Sequence, residues 1–264
     1  MPWNPAQYLQ FEGERLRPAL DLLARVPLDD PRTIVDLGCG SGNVTRLLGE
    51  RWPDARVVGV DSSPSMLREA RAATRDDPQF TFVPADLAQW QPDPPVDLVY
   101  SNAALHWLPD HAALFARVAA MVAPGGALAV QMPDNFRAPS HTLIADLARS
   151  ERWRKQLAAI VREPPVATAV EYFGWLAPLM PVVDIWFTEY LQVLAPRNDG
   201  EHPVAAWTKG TWLVPFLEAL DAPQRTQFLH EYMQHLARDY PARQDGRTLF
   251  PFRRVFIVAT RPNR

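Results

Sequence analysis

The stretch from Thr33 to Asn43 restricts the possible folds more than any other part of the chain. Thr33-Ile34-Val35-Asp36-Leu37 is a short apolar run rich in β-branched residues, and it ends on Gly38-Cys39-Gly40-Ser41-Gly42. Val44, Leu47 and Leu48 follow at helical spacing, so a helix is predicted to begin near Asn43. A buried strand that turns on alternating glycines straight into a helix implies α/β architecture. Glycines let the backbone turn sharply and let a ligand approach with no Cβ in the way. The N–H groups opening the helix favour a carboxylate or phosphate. A dinucleotide loop would place its third glycine where Asn43 stands; here glycine comes one residue early, at Gly42, which disfavours a nicotinamide dehydrogenase.

The strand-then-helix rhythm repeats. Strands are predicted over Arg56 to Val60, Phe80 to Val83, Asp97 to Tyr100 and Ala127 to Gln131. Ser63-Pro64 reads as an N-cap with proline at the first helical position, followed by Met66, Leu67 and Ala70. A helix from His111 to Val122, ended by Pro124-Gly125-Gly126, precedes the fifth strand. Alternation of this kind gives a parallel sheet covered on both faces. Before it, Trp3 to Val26 reads as a loop and a helix with Leu16, Leu20 and Leu23 on one face. After Met132 the pattern changes to a helix from Ser140 to Val161, a strand from Val183 to Leu194, two or more helices from Pro203 to Tyr240, and a last strand from Arg254 to Thr260.

At 264 residues, with 47% hydrophobic and 22% charged residues, the chain has ordinary globular usage. The longest run without a charge, Val118 to Pro133, is broken by Pro-Gly-Gly and shorter than the roughly 20 residues a membrane helix needs. The first residues, Met1-Pro2-Trp3-Asn4-Pro5, have neither a basic start nor an apolar core, so no secretory leader, no membrane partner and a cytoplasmic location are expected. The single cysteine, Cys39, excludes an internal disulfide and a multi-cysteine metal site. His230 and His235 are five apart, which turns them away from each other on a helix, so no metal is expected there. Net charge is −3, yet Asp29 to Asp110 holds 13 acids against 7 arginines, and Arg238 to Arg264 holds 7 arginines against Asp239 and Asp245. The basic stretch is either a solvated surface or a local field for an anion.

Three carboxylates fall at strand ends: Asp36, Asp61 and Asp86. Asp61 is placed to accept two hydrogen bonds from a ribose diol, and Asp86 to accept from an adenine amine, although Asp86 alone also suits a helix N-cap. Asp36-x-Gly38-x-Gly40-x-Gly42, Asp61, Asp86-Leu87 and Pro124-Gly125-Gly126 together resemble the motifs of class I S-adenosylmethionine-dependent methyltransferases. Trp3-Asn4-Pro5-x-x-Tyr8-Leu9, Glu14-Arg15-x-Arg17-Pro18-Ala19, Trp107-Leu108-Pro109-Asp110-His111, Gln131-Met132-Pro133-Asp134-Asn135 and Phe256-Ile257-Val258-Ala259-Thr260 are similar to the trans-aconitate 2-methyltransferases within that class. This likeness is weakest from Arg137 to Val182 and around Arg197 to His202, and it departs at Arg253 and in Thr208 to Thr211.

The resemblance implies a seven-stranded Rossmann-like sheet, mostly parallel with an antiparallel last strand, plus a helical cap. It implies one domain over 1–264, with an N-terminal cap at 1–30, a cofactor-binding half at 31–133 and an acceptor-binding half at 134–264 carrying a helical insertion at about 198–250. S-adenosyl-L-methionine is the implied cofactor, held by Asp36, Gly38, Cys39, Gly40, Asp61, Ser62, Met66, Asp86, Leu87, Asn102 and His106. For His106 a packing role and a base remain alternatives. The implied reaction is a monomethyl ester of trans-aconitate formed by in-line displacement. A carboxylate acceptor is already ionised at neutral pH, so no catalytic side chain is nominated and the protein's task is positioning. Strand neighbours face opposite ways, so only one of Arg253 and Arg254 reaches the acceptor, and the resemblance implies that it is Arg254. Arg15, Arg17, Tyr8, Asn135 and Trp107 are the further substrate candidates. The helices before residue 26 and from Pro203 to Tyr240 are either a lid or added core. Ser101-Asn102-Ala103-Ala104-Leu105 lacks the Pro-Pro-aromatic run of base methylases, so a nucleic-acid partner is not expected. Another small acid as acceptor, a cofactor-binding protein without turnover, and a monomeric state complete the expectations.

Overall fold

The computed structural model describes residues 12–75 and 77–263, with side chains from Leu16 onward. In chain order the elements are α1 (Glu12–Leu23), β1 (Thr33–Leu37), α2 (Asn43–Arg51), β2 (Arg56–Asp61), α3 (Pro64–Thr74), β3 (Phe80–Pro84), β4 (Val96–Asn102), α4 (His111–Ala120) and β5 (Val122–Pro133). There follow α5 (Pro139–Arg149), α6 (Ala169–Leu176), β6 (Val182–Leu194), α7 (Pro203–Lys209), α8 (Val214–Glu218), α9 (Ala222–Asp239) and β7 (Thr248–Thr260). Trp3 to Phe11, the front of the first predicted helix, lies outside the described residues.

The strands form one seven-stranded sheet in the order β3-β2-β1-β4-β5-β7-β6. β1 pairs in parallel with β2 and β4, β2 with β3, and β4 with β5, whereas β7 runs antiparallel to β5. Reversal of order at β1/β4 puts the carboxyl ends of β1, β2 and β4 beside a crevice of the kind in which open α/β sheets bind ligands. Two compact units make up the chain. One comprises 13–133, 165–188 and the residues from Arg254 onward; the other comprises Glu12, 134–164 and 189–253.

In the first unit, Ile34, Val35, Leu37, Val57, Val60, Leu98 and Val99 are buried, each burial contributing about 1.5–3 kcal/mol. Tyr100 is fully covered and its hydroxyl donates to the Ala19 carbonyl of α1 at 2.7 Å. The second unit has its own core, in which Trp153, Phe228, Tyr232, Leu236, Trp207, Phe250 and Phe252 gather. Its polar ties are also internal: Tyr232 donates to the Ser140 carbonyl at 2.7 Å, and Trp153 donates from its indole to Glu231 at 2.7 Å.

Four boundaries differ from the sequence expectation. Pro124-Gly125-Gly126 does not end the helix; α4 stops at Ala120, and the three residues sit inside β5 as an enlarged bulge between the Val96–Val122 and Leu98–Ala127 pairs. Gly125 takes φ 81°, and a Cβ on Gly126 would meet the Asp97 carbonyl at 2.6 Å, so glycine is required at both. The helix predicted over Ser140 to Val161 ends at Arg149, because Ser150 turns to an extended conformation, and resumes only as a helical turn and a 3-10 turn. The last strand begins at Thr248, six residues earlier than expected. An unanticipated helix, α6, packs on α4 through Tyr172, whose hydroxyl lies 2.6 Å from His111 Nδ1.

Candidate functional site

Every predicted cofactor residue lies in the first unit, at or near the carboxyl ends of β1–β4. The loop after β1 is held by two bonds to one acceptor: the Gly38 and Cys39 N–H groups both donate to the Val60 carbonyl, at 2.8 and 3.1 Å. Gly38, Gly40 and Gly42 all have positive φ (76°, 54° and 80°). Their spatial demands differ. A Cβ on Gly38 would fall 2.1 Å from the Ala104 Cβ, whereas a Cβ on Gly40 would meet nothing within 4 Å. Gly38 is therefore glycine so that β1 and the turn after β4 can touch, and Gly40 so that the backbone can present an open edge.

Asp61, at the end of β2, ties this loop to the next helix. Its Oδ2 accepts from Gly40 N–H at 3.0 Å and its Oδ1 from Ser63 N–H at 2.8 Å. A carboxylate offers about four acceptor positions, so two remain for a diol. Ser63 caps α3, with its hydroxyl accepting from Met66 N–H, while Met66 itself is buried and Ser62 exposed. Asp36 is only 1% exposed and accepts from the Thr45 hydroxyl at 2.7 Å. Burial raises its pKa to about 7, the Thr45 hydrogen bond opposes the rise, and the neighbouring Asp61 charge adds to it. Its role is to brace α2 against the end of β1.

Cys39 was expected to face the ligand. Its side chain instead packs with Leu67, Ala70 and Phe82 beneath the loop. Burial, reinforced by the charges of Asp36 and Asp61, pushes the thiol pKa far upward, so only the Cys39 backbone is left to meet a ligand.

Asp86 follows β3 and is exposed; its Oδ1 accepts from Ala88 N–H at 2.9 Å and its carbonyl from Gln89 and Trp90. The turn is pinned by a residue that sequence reasoning missed. Arg117 of α4 donates to the Leu87 carbonyl at 2.6 Å and to the Trp90 carbonyl at 2.8 Å. Only its position on the α4 face could have signalled this, since the partners are backbone groups some thirty residues away.

At the end of β4 the chain is strained: Ala103 has φ 54°, a conformation costing a non-glycine residue about 1–2 kcal/mol. The strain turns Ala104 onto Gly38, and Ala103 N–H is satisfied by the Gln131 carbonyl at 2.9 Å. Asn102 Oδ1 is buried and has no hydrogen-bond partner among the described residues. Past it, His106 is buried with its ring 4.7 Å from that of Trp107, and Trp107 is 50% exposed, so it is not a core aromatic.

Of the acceptor candidates, Arg254 is 4% exposed and donates to Gln131 Oε1 at 3.3 Å. Arg253 is exposed and pairs with Asp134 at 3.1 Å, as alternation along β7 requires. Asn135, in the second unit, accepts from Arg253 N–H at 3.2 Å and donates to the Ser140 hydroxyl at 3.3 Å. Arg17 is exposed. Tyr8 and the Arg15 side chain lie outside the described residues.

The reversed β7, the strand order and the glycine loop together define a class I methyltransferase fold. A family model described as methyltransferase domain matches residues 34–126. An S-adenosylmethionine-dependent methyltransferase from Mesorhizobium loti superposes with a TM-score of 0.52 at 24% identity, over 94% of this chain and 99% of that one, a likeness of fold. The trans-aconitate 2-methyltransferase of Methylobacterium nodulans is 49% identical over 98% of both chains, and that of Azoarcus sp. strain BH72 is 48% identical over 98% of this chain and 99% of its own. The chain belongs to the trans-aconitate 2-methyltransferase family.

Proposed function

We propose that this chain is an S-adenosylmethionine-dependent carboxyl O-methyltransferase that converts trans-aconitate to its monomethyl ester. The observation that carries the reading is the near-half identity to trans-aconitate 2-methyltransferases, maintained over 98% of the chain and so across the acceptor half as well as the glycine loop. The residues present suit the cofactor: an open backbone edge at Gly40, spare acceptor positions on Asp61 and a buried Asn102 Oδ1 with no partner among the described residues all lie at the ends of adjacent strands. S-adenosylmethionine supplies a methyl carbon already activated by its sulfonium. In this reading Asp61 takes the ribose hydroxyls, Asp86 and the Leu87 turn frame the adenine, and the Gly38–Gly40 edge and Asn102 receive the methionyl end. Ser62, Met66, His106 and the Cys39 backbone complete the wall.

The acceptor is an anion at neutral pH, so these residues need to move no proton. They must align the carboxylate oxygen with the methyl carbon and keep water out, because anion and cation neutralise one another as the bond forms. Arg254 is the buried cation suited to a carboxylate, and Trp107, Tyr8, Arg15 and Asn135 are the further candidates for the acceptor's surroundings. A small polycarboxylate, not nucleic acid, is the partner this chemistry fits. The test is product mass: purified protein with S-adenosylmethionine and trans-aconitate should gain one methyl group on the acid, and cis-aconitate, isocitrate and citrate should react less. Arg254→Ala should weaken acceptor binding by roughly 2–5 kcal/mol with S-adenosylhomocysteine affinity unchanged. Retention of the cofactor product with no ester from any of the acids would refute the reading.

A further inference from the structure

In the second unit a chain of buried polar groups has hydrogen bonds that can run in one direction only. Asn135 follows β5 by two residues and is buried, as are Ser140 and His141 in the first turn of α5. The Arg253 backbone N–H donates to Asn135 Oδ1 at 3.2 Å, which fixes the amide's orientation, and Asn135 Nδ2 donates to Ser140 Oγ at 3.3 Å. Ser140 Oγ lies 2.9 Å from His141 Nδ1. The serine is fully buried and its hydroxyl hydrogen meets no other acceptor among the described residues, so that hydrogen goes to Nδ1. His141 is thereby held as the tautomer that carries its own hydrogen on Nε2. Both backbone groups of Ser140 are tied as well: its N–H donates to the Tyr240 hydroxyl at 3.2 Å, and its carbonyl accepts from the Tyr232 hydroxyl at 2.7 Å.

The relay ends on a donor. His141 is only 7% exposed, and its Nε2–H has no hydrogen-bond partner among the described residues. Leaving a buried donor unpaired costs about 1–3 kcal/mol, which a ligand oxygen would recover. Burial pushes the ring's pKa down to about 3, so Nε2–H is uncharged at neutral pH. A neutral donor orients a carboxylate and leaves it its charge, whereas an imidazolium would neutralise it. An acid needs that charge to attack a methyl carbon. The imidazole lies 5.4 Å from the Phe136 ring and 5.9 Å from that of Trp212. Over Trp212 sits the exposed Arg162 guanidinium, 5.7 Å from the ring centroid and in no ion pair among the described residues. One fixed donor, an aromatic wall and a cation at its edge suit the oxygens of an organic acid.

Resting on the reading that the acceptor is a polycarboxylate, we propose that His141 is a binding residue for that acid, donating from Nε2 to one of its carboxylate oxygens, with Ser140 and Asn135 as the positioning residues that set its tautomer. Asn135 then serves the acceptor through His141, and Arg162 adds attraction for an anion.

The test uses the full chain saturated with S-adenosylhomocysteine and trans-aconitate as the probe. In wild type labelled with 15N at histidine, the His141 signals, assigned by their absence from the His141 variants, should show the Nε2–H tautomer, and trans-aconitate should move the Nε2–H resonance. His141→Phe keeps a ring beside Phe136 and Trp212 but has no donor; it should raise the acid's dissociation constant and KM about tenfold, with S-adenosylhomocysteine affinity within about twofold and kcat falling far less. His141→Gln returns an amide N–H and should bring both constants back to within about threefold of wild type. Ser140→Ala removes the hydrogen that Nδ1 accepts; it should mix the tautomers and raise KM about threefold. An Nδ1–H tautomer in wild type, an Nε2–H resonance indifferent to the acid, or unchanged acid affinity in His141→Phe each overturns the proposal. So does an equal loss in His141→Phe and His141→Gln, which would assign the ring to packing, and a ring that stays wholly Nε2–H in Ser140→Ala overturns the relay. Should His141→Phe not fold, the wild-type titration decides. Wild-type turnover tests the underlying reading separately: wild type that binds trans-aconitate without esterifying it refutes the activity and leaves the binding comparison intact, and wild type that does not bind it refutes both.

Discussion

Single atoms explain why the loop after β1 has its composition, and they rank the effects of changing it. Gly38 and Gly40 share a left-handed backbone, but only Gly38 abuts another side chain, the Ala104 methyl. Gly40→Ala should cost about 1–2 kcal/mol from backbone strain alone. Gly38→Ala adds a steric conflict worth a further 1–3 kcal/mol or so and should destabilise the protein more, as thermal denaturation of the two variants side by side will show. Asp61 is the residue on which the loop and the next helix both hang, through Gly40 N–H and Ser63 N–H. Asp61→Ala removes two charge-assisted bonds and should weaken S-adenosylhomocysteine binding about 10- to 100-fold by calorimetry, whatever acid is offered as acceptor.

Among the elements, what was legible in the sequence follows from where the information lies. β1, α2, β2 and α3 were readable because their signals are local: a β-branched run, glycines at alternate positions, and Ser63-Pro64 at a helix start. The three strand-end aspartates were readable for the same reason. Pro124-Gly125-Gly126 misled because the bulge it forms depends on the opposing Asp97 carbonyl and on Arg261, whose carbonyl accepts from Gly125 N–H at 3.0 Å; neither partner is visible locally. α6 was missed because Ala169–Leu176 is nearly all apolar and shows no period, although Thr168 and Glu171 form a capping box that marked its start. Arg117 escaped because it acts on partners far away in the chain. Arg117 offers a test at this scale. Arg117→Met should free the Leu87 and Trp90 carbonyls, loosen the turn after β3 and lower S-adenosylhomocysteine affinity about 5- to 20-fold, while the acceptor's KM at saturating cofactor stays unchanged.

For the molecule as a whole, the two compact units respond to pH in opposite directions. Asp36, in the first unit, has its pKa raised from 3.8 to about 7, chiefly by burial. The folded state therefore holds a proton that the unfolded chain has released, and this contribution is complete below pH 4 and lost as pH climbs through 7. His141, in the second unit, is pushed down from 6.5 to about 3, again by burial. Its contribution is complete above pH 6.5 and lost as pH falls toward 3. Each unit of pKa shift is worth about 1.4 kcal/mol, and because the two windows overlap between about pH 4 and 6.5 the opposing slopes offset one another there in melting temperature. Asp36→Asn should unmask a melting temperature that rises from pH 4 toward 6.5, and His141→Asn one that falls as pH climbs from 4 through about 7; a profile unchanged by either substitution would contradict the assignment.

The burial of Cys39 has a practical consequence. As the chain's one sulfhydryl, sealed under the Gly38–Gly42 segment against Phe82 and Leu67, it is shielded from alkylating reagents until that segment lifts. The speed at which iodoacetamide or a disulfide dye modifies the native protein then becomes a clock for how often the Gly38–Gly42 segment breathes, and occupancy by S-adenosylhomocysteine should slow that clock in proportion to its saturation.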